Sequence, residues 1–362
     1  MGDLLKDNYN VDYITRLAKD FYKYEKSFNR SKFLKQIFNS EWNDLELKGR
    51  MAHIVSVINI MIGELTFSKQ VELLLKVAPE YRGFEGMFFP EYISTFCDMN
   101  NKQQWRKSIR ALEVLTQYSS SEFAIRKFIK KDTETTLAIL LRWADHENFH
   151  VRRLASEGCR PRLPWSFQLT HFVDNPRPLL PILEKLIDDP SEYVRRSVSN
   201  NVNDISKDHP QLVITKARKW LKKPSRFKLV KHGLRTLLKN GNVEALELMG
   251  YGKVNDVSGL KLSVNKKVHF PGELEISGGF ALKKSAKVRL EFALYFLKKN
   301  GSYTKKVFKI SEREFLKGPH VISKKYHFKN ISTRKYHDGV HMVSLIINGK
   351  ESKKEKFTLV MR

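Results

Sequence analysis

Apolar positions recur every three to four residues over roughly the first 250 positions and every second residue after that. The first regime predicts helices over 11–24, 30–38, 45–61 and 68–77. Pro79, Gly83, Gly86 and Pro90 interrupt the pattern, which resumes over 91–99, 105–118 and 121–130, with Ser121 placed to cap the last of these. The stretch 138–165, AILLRWADHENFHVRRLASEGCRPRLPW, then reads as an apolar helix, a turn at 145–148, a second helix from His150 and a stop at Gly158, two prolines and Trp165.

That helix pair recurs. A shift of 43 residues lays 138–157 on 181–200: Ile139 on Ile182, Leu140 on Leu183, Asp145 on Asp188, Val151-Arg152-Arg153 on Val194-Arg195-Arg196 and Ser156 on Ser199. A helix pair cannot bury its own apolar face, so pairs repeating at this period stack into a HEAT-like solenoid. Two further helices, 211–222 and 226–238, read as a degenerate pair, and 242–249 as the terminal helix.

After Gly250-Tyr251-Gly252 the alternation predicts strands over 268–270, 273–276, 287–297, 303–310, 320–328, 341–347 and 356–360. Turns are marked at Pro271-Gly272, Gly278-Gly279, Asn300-Gly301, Asp338-Gly339 and Asn348-Gly349, the last a strong hairpin signal. About seven short strands suit an immunoglobulin-like sandwich. The fold class is therefore mainly α: a HEAT-like α-α superhelix over residues 1–252, followed by a small all-β sandwich over 253–362.

Composition narrows function more than fold. With 41% apolar residues the chain can build a core, and a formal charge of +27 exceeds what solubility needs and attracts polyanions. Residues 255–362 hold 24 Lys+Arg against 9 Asp+Glu, which leaves +15 on the β-region and marks it as a clamp for nucleic acid. Two distant cysteines without CxxC spacing suit a reduced, intracellular chain. The N-terminal stretch has no apolar core of a leader, and the apolar run 54–65 is too short for a span and carries a glutamate. A cytoplasmic protein of bacterial type, nucleoid-associated when on DNA, is expected, with no membrane partner.

HENFH at 146–150 spells the HExxH zinc pattern, which needs both histidines stacked one turn apart on a helix. The repeat argues against it, because Glu147 falls on Pro190 inside a turn. No metal is expected. Arg152, Arg153, Arg195 and Arg196 form a repeated dibasic pair that, with Arg160 and Arg162, can line a face with phosphate contacts. Intramolecular ion pairs, such as Arg153 with Glu157 at i,i+4, are the competing role. Acids within a basic surface are sharper evidence: Glu157, Asp204 and Glu122 repel a phosphate backbone but serve an enzyme that stabilises a developing cation. Trp165, on a loop, is a candidate contact; Trp143, on an apolar helical face, is core.

HENFHVRRLASEG followed by RPRLPW, with Ser121-Glu122-Phe123-Ala124-Ile125-Arg126 and Leu45-Glu46-Leu47-Lys48, resembles the AlkC branch of HEAT-like-repeat DNA glycosylases, relatives of AlkD. Cys159 departs from a family pattern that commonly has threonine there. The resemblance spans the chain and implies monofunctional excision of cationic alkylated bases, above all 3-methyladenine, from duplex DNA without full base flipping or a cofactor. It implies Glu157 beside the deoxyribose, Asp204 and Glu122 sharing charge stabilisation and water placement, and Trp165 against the lesion nucleotide. The enzyme is expected to act as a monomer. A non-catalytic nucleic-acid scaffold on the same fold is the competing function.

Overall fold

The computed structural model describes residues 5–331 and 334–361; the first positions of the stretch read for a leader lie outside them. Packing divides the chain into two compact units, Met1–Asp208 and His209–Arg362. The first holds α1 (Val11–Tyr24), α2 (Arg30–Ile37), α3 (Leu47–Ile62), α4 (Phe67–Val77), α5 (Phe88–Phe96), α6 (Lys102–Leu115), α7 (Ala124–Lys131), α8 (Thr133–Trp143), α9 (Phe149–Glu157), α10 (Thr170–Asp174), α11 (Leu180–Leu186) and α12 (Glu192–Ser206). Within it α3, α5 and α7 pack in succession, and α9 packs broadly on α12; α4 packs on α6, and α8 on α11.

The 43-residue repeat is structural as well as textual. α9 starts at Phe149 and α12 at Glu192, one repeat apart, with Asn148 and Ser191 as their N-cap residues. The side chain of Asn148 accepts from the His150 amide at 2.9 Å, satisfying one of the orphan donors of the helix start. Gly158 follows α9 directly; a Cβ there would sit 2.5 Å from the Ile125 Cγ2 atom, so glycine is what lets α7 and the end of α9 touch.

The second unit holds α13 (Pro210–Trp220), α14 (Phe227–Gly233), α15 (Arg235–Lys239) and α16 (Val243–Leu248), then the strands β1 (Val257–Val264), β2 (Lys267–His269), β3 (Gly272–Leu282), β4 (Ala286–Leu297), β5 (Tyr303–Phe315), β6 (Gly318–Phe328), β7 (Gly339–Ile347), β8 (Lys350–Glu351) and β9 (Glu355–Val360). One sheet runs β1-β3-β6 and the other β2-β9-β7-β4-β5, with β8 on β7. Inward-facing Leu274, Ile276, Phe292, Leu294, Phe296, Phe328, Val343, Phe357 and Leu359 fill the space between them. The Asn348-Gly349 hairpin is present: both residues take positive φ, 46° and 82°, and Ile347 pairs with Lys350 across the turn.

Secondary structure switches near the anticipated 252/253 position, and packing groups α13–α16 with the strands in the second unit. Several other expectations change. The helix expected over 226–238 is broken at Leu234 into α14 and α15. Gly278-Gly279 is not a turn; both glycines lie inside β3, paired with β1 and β6, because a long strand tolerates two residues without side chains when both neighbours hold its backbone. β1 and β8 were absent from the expected strands. Ser121 does not cap α7, which starts at Ala124; its hydroxyl is buried and donates to the Leu112 carbonyl instead. Among the described residues no helix is long and apolar enough to cross a membrane.

Candidate active site

The three acids singled out from sequence meet in one chain of charges. Glu122 stands in the turn before α7, Glu157 ends α9, and Asp204 lies in α12. Arg153 donates to Glu122 and approaches Glu157 Oε1 at 3.5 Å. Arg160, in the loop after α9, donates from Nη1 to the same Glu157 Oε1 at 2.6 Å and from Nε to Asp204 Oδ2 at 2.8 Å. Lys207 closes the series on Asp204 Oδ1 at 2.8 Å. The order Glu122–Arg153–Glu157–Arg160–Asp204–Lys207 alternates in sign and sums to zero.

Glu157 and Asp204 are only 5% and 1% exposed. Burial alone would push the Glu157 carboxyl up, but Arg153 and Arg160 outweigh it and hold the group below the usual carboxylate range. Both cations address Oε1, which leaves Oε2 outside these ion pairs. The arrangement therefore keeps an ionised carboxylate in a dry setting, where its field is little screened.

A cleft of about 450 Å³ opens beside this chain, lined by Glu122 and Arg153 and by Arg82, Phe84, His150 and Tyr193. His150 and Tyr193 occupy equivalent repeat positions. The Arg153 guanidinium lies 5.0 Å from the centre of the Tyr193 ring. Burial, then the nearby Arg153 and Arg82, lowers the His150 pKa, so this imidazole is neutral at pH 7.

Trp165 completes the surroundings. Its side chain is 59% exposed, and its backbone sits in the left-handed region at φ 63°, strained for a bulky residue. The indole meets the edge of Phe84 at 5.8 Å, and Phe84 in turn lines the cleft.

The arginines separate by role. Arg152 donates to the His146 and Glu147 carbonyls at 2.9 and 2.7 Å and pairs through two nitrogens with Asp189. Arg195, one repeat on, donates to the Asp189 and Pro190 carbonyls at 2.6 and 2.9 Å. At these two positions each guanidinium clamps the turn preceding its own helix. Arg153 and Arg160 are likewise engaged inside the charge chain. Arg162 makes a two-pronged pair with Asp208, both contacts 2.9 Å, and Arg196 is exposed beside Glu192.

The HExxH reading fails on geometry. His146 lies in the turn, Asn148 caps the helix, and His150 is in its first turn, so the histidines do not stack on one helical face. His146 accepts from the Asn148 amide through Nδ1 at 2.9 Å and faces Glu113 through Nε2. Among the described residues no group of three His, Cys, Asp or Glu side chains is arranged for a metal.

Sequence reasoning gave no role to Arg126, Lys48, Lys207, Arg82 or Tyr193. Only Arg126 left a signal, as a charge on the apolar face formed by Ile125, Phe128 and Ile129.

Residues 106–231 match the family described as DNA alkylation repair enzyme, and residues 256–361 the C-terminal Ig-like domain of uncharacterised protein YhaZ. Uncharacterized protein YhaZ of Bacillus subtilis (strain 168) is 41% identical over 96% of this chain and 97% of its own length. The structure of the Pseudomonas fluorescens alkylpurine DNA glycosylase AlkC, bound to DNA containing an abasic site analog, superposes with a TM-score of 0.91 at 33% identity, covering 99% of this chain and all of that one.

Proposed function

The chain belongs to the DNA alkylation repair enzymes in their AlkC form, with its C-terminal Ig-like domain, and from that premise we propose that it is a monofunctional DNA glycosylase. Its substrates are purines carrying a small alkyl group at N3, 3-methyladenine first among them, in duplex DNA. Such a base is already cationic. When the bond from C1′ to the base nitrogen breaks, the base leaves neutral with the electron pair, and positive charge passes to the deoxyribose. Water then adds to C1′ and gives up a proton.

The residues supply electrostatics for that passage. Glu157 is the carboxylate beside the sugar, held ionised by Arg153 and Arg160 on one oxygen. Asp204 and Glu122, tied to the same arginines, share charge stabilisation and orient the water. Trp165 presses an aromatic face on the lesion nucleotide, where a cationic sugar or base is favoured. An exposed ring on a loop bonded to Arg126 and Lys48 suits recognition without full extrusion of the base. Arg162 and Arg196 remain the candidate phosphate contacts on the solenoid. No cofactor is needed for this hydrolysis, and one monomer carries every group named.

The observation that carries this reading is the alternating chain that joins three carboxylates and reaches the cleft through Glu122 and Arg153. A scaffold gains nothing from acids there. The test compares base release from alkylated duplex by the intact chain and by Glu157→Gln, with DNA affinity measured for both. Loss of a preorganised electrostatic partner costs about 10²–10³ in rate, so the variant is expected to bind and to release base that much more slowly. No release by the intact chain, with salt-dependent binding preserved, would replace the enzyme with the scaffold.

A further inference from the structure

The segment 158–167 has no regular secondary structure, yet it carries both Arg160 of the charge chain and Trp165. Loops without ladders drift unless tied, and a bulky residue at positive φ persists only where its surroundings over-determine it. Beside the ion pairs of Arg160 and Arg162, two cations from other elements bond to the segment's backbone.

Arg126 enters from α7 and is completely buried. It donates to the Gly158 and Arg160 carbonyls at 3.0 and 2.7 Å and to the Phe167 carbonyl at 2.5 Å, so one guanidinium holds both ends of the segment. Its charge also lies 5.3 Å from the Phe167 ring centre. These three bonds end on neutral carbonyls, an expensive way to bury a cation where helix packing alone is at stake. Burial pulls its pKa down to about 10, which still leaves it charged at neutral pH.

Lys48, at the start of α3, holds the tip. Its ammonium donates to the Trp165 carbonyl at 2.5 Å and sits 4.2 Å from the Phe123 ring centre. That bond is made to the peptide plane following the strained residue, whose indole meets Phe84.

We propose that Arg126 and Lys48 are positioning residues that hold Trp165 in its left-handed conformation, so that the indole is already placed against the lesion nucleotide when DNA arrives. The proposal rests on the glycosylase reading for its consequence but not for its geometry. Misplacing a reacting partner by about 1 Å costs up to about 10² in rate without comparable loss of binding.

The experiment is a double-mutant cycle in single-turnover base release from alkylated duplex. Lys48→Met is expected to slow release on the order of tenfold with DNA affinity within about twofold, and Lys48→Arg, which keeps a donor, to restore most of it. In a Trp165→Ala background, Lys48→Met is expected to add nothing. Multiplicative losses in the cycle, or an equal loss of affinity, would overturn the proposal. Arg126→Lys serves beside Arg126→Met, since removal of a buried cation can prevent folding; the lysine variant should fold and behave as Lys48→Met does. If the intact chain releases no base, the glycosylase reading fails separately. The positioning is then read from the emission lost in Trp165→Phe: Lys48→Met should raise its quenching by iodide, and unchanged quenching would overturn the proposal.

Discussion

A buried carboxylate flanked by two guanidinium groups behaves differently from one that is merely buried. The folded pKa of Glu157 lies below its unfolded value, so its ionisation contributes stability that is fully present above the ordinary carboxylate pKa and is lost as pH falls through the depressed value. Base release between pH 5 and 7 is therefore expected to show no acid limb from Glu157. A single-turnover pH profile checks this; an apparent pKa near 6 assigned to Glu157 by its loss in Glu157→Gln would contradict it. Cys159 presents the opposite case. Burial pushes its thiol up to about 12, and the sulfur is enclosed beside Asn201. The native protein should resist iodoacetamide at Cys159 at pH 8 and keep its activity, as mass spectrometry of the treated enzyme would show.

At the level of elements, the repeated dibasic pair divides its work. Arg152 and Arg195 close the turns before α9 and α12, and Arg152 also satisfies the buried carboxylate of Asp189. Arg152→Ala leaves that carboxylate without its cation and should destabilise the fold by about 3 kcal/mol, measured by urea unfolding. The dependence of DNA binding on salt should stay the same in the folded variant. Arg196→Ala is expected to do the reverse: little change in stability, and a salt dependence shallower by about one unit of slope. Asn148→Ala removes the side-chain acceptor at the start of α9 and should cost about 1 kcal/mol.

Across the whole molecule, the division of packing matters more than the change of secondary structure. In the second unit, a Cβ on Gly241 would sit 3.0 Å from the Gly349 Cα atom, Lys287 donates to the Met249 carbonyl at 3.3 Å, and Asn348 to the Gly252 carbonyl at 2.8 Å. Truncation after residue 252 would strip the residues flanking α16 of these partners. A chain ending there is expected to lose protection over α13–α16 in limited proteolysis, whereas one cut after residue 208 leaves no such exposed remnant. Equal protease resistance of 1–252 and the full chain over 209–252 would argue for a boundary at the change of secondary structure.

Sequence by itself determined the local pattern. Periodicity gave the helices and most strands, the 43-residue shift gave the two stacked pairs, and the Asn348-Gly349 pair gave its hairpin, because each depends on neighbours a few residues away. The acids and Trp165 were legible as oddities: carboxylates in a basic stretch and an aromatic on a proline-flanked loop. Tertiary structure decided what those residues touch. That Arg153 and Arg160 thread Glu122, Glu157 and Asp204 into one chain could not be read from charges 35 to 82 positions apart. Arg152 and Arg153 are adjacent in sequence, yet successive helical residues point about 100° apart, so one closes a turn and the other enters the charge chain. The cation beneath the Trp165 loop comes from α7, and only packing brings it there.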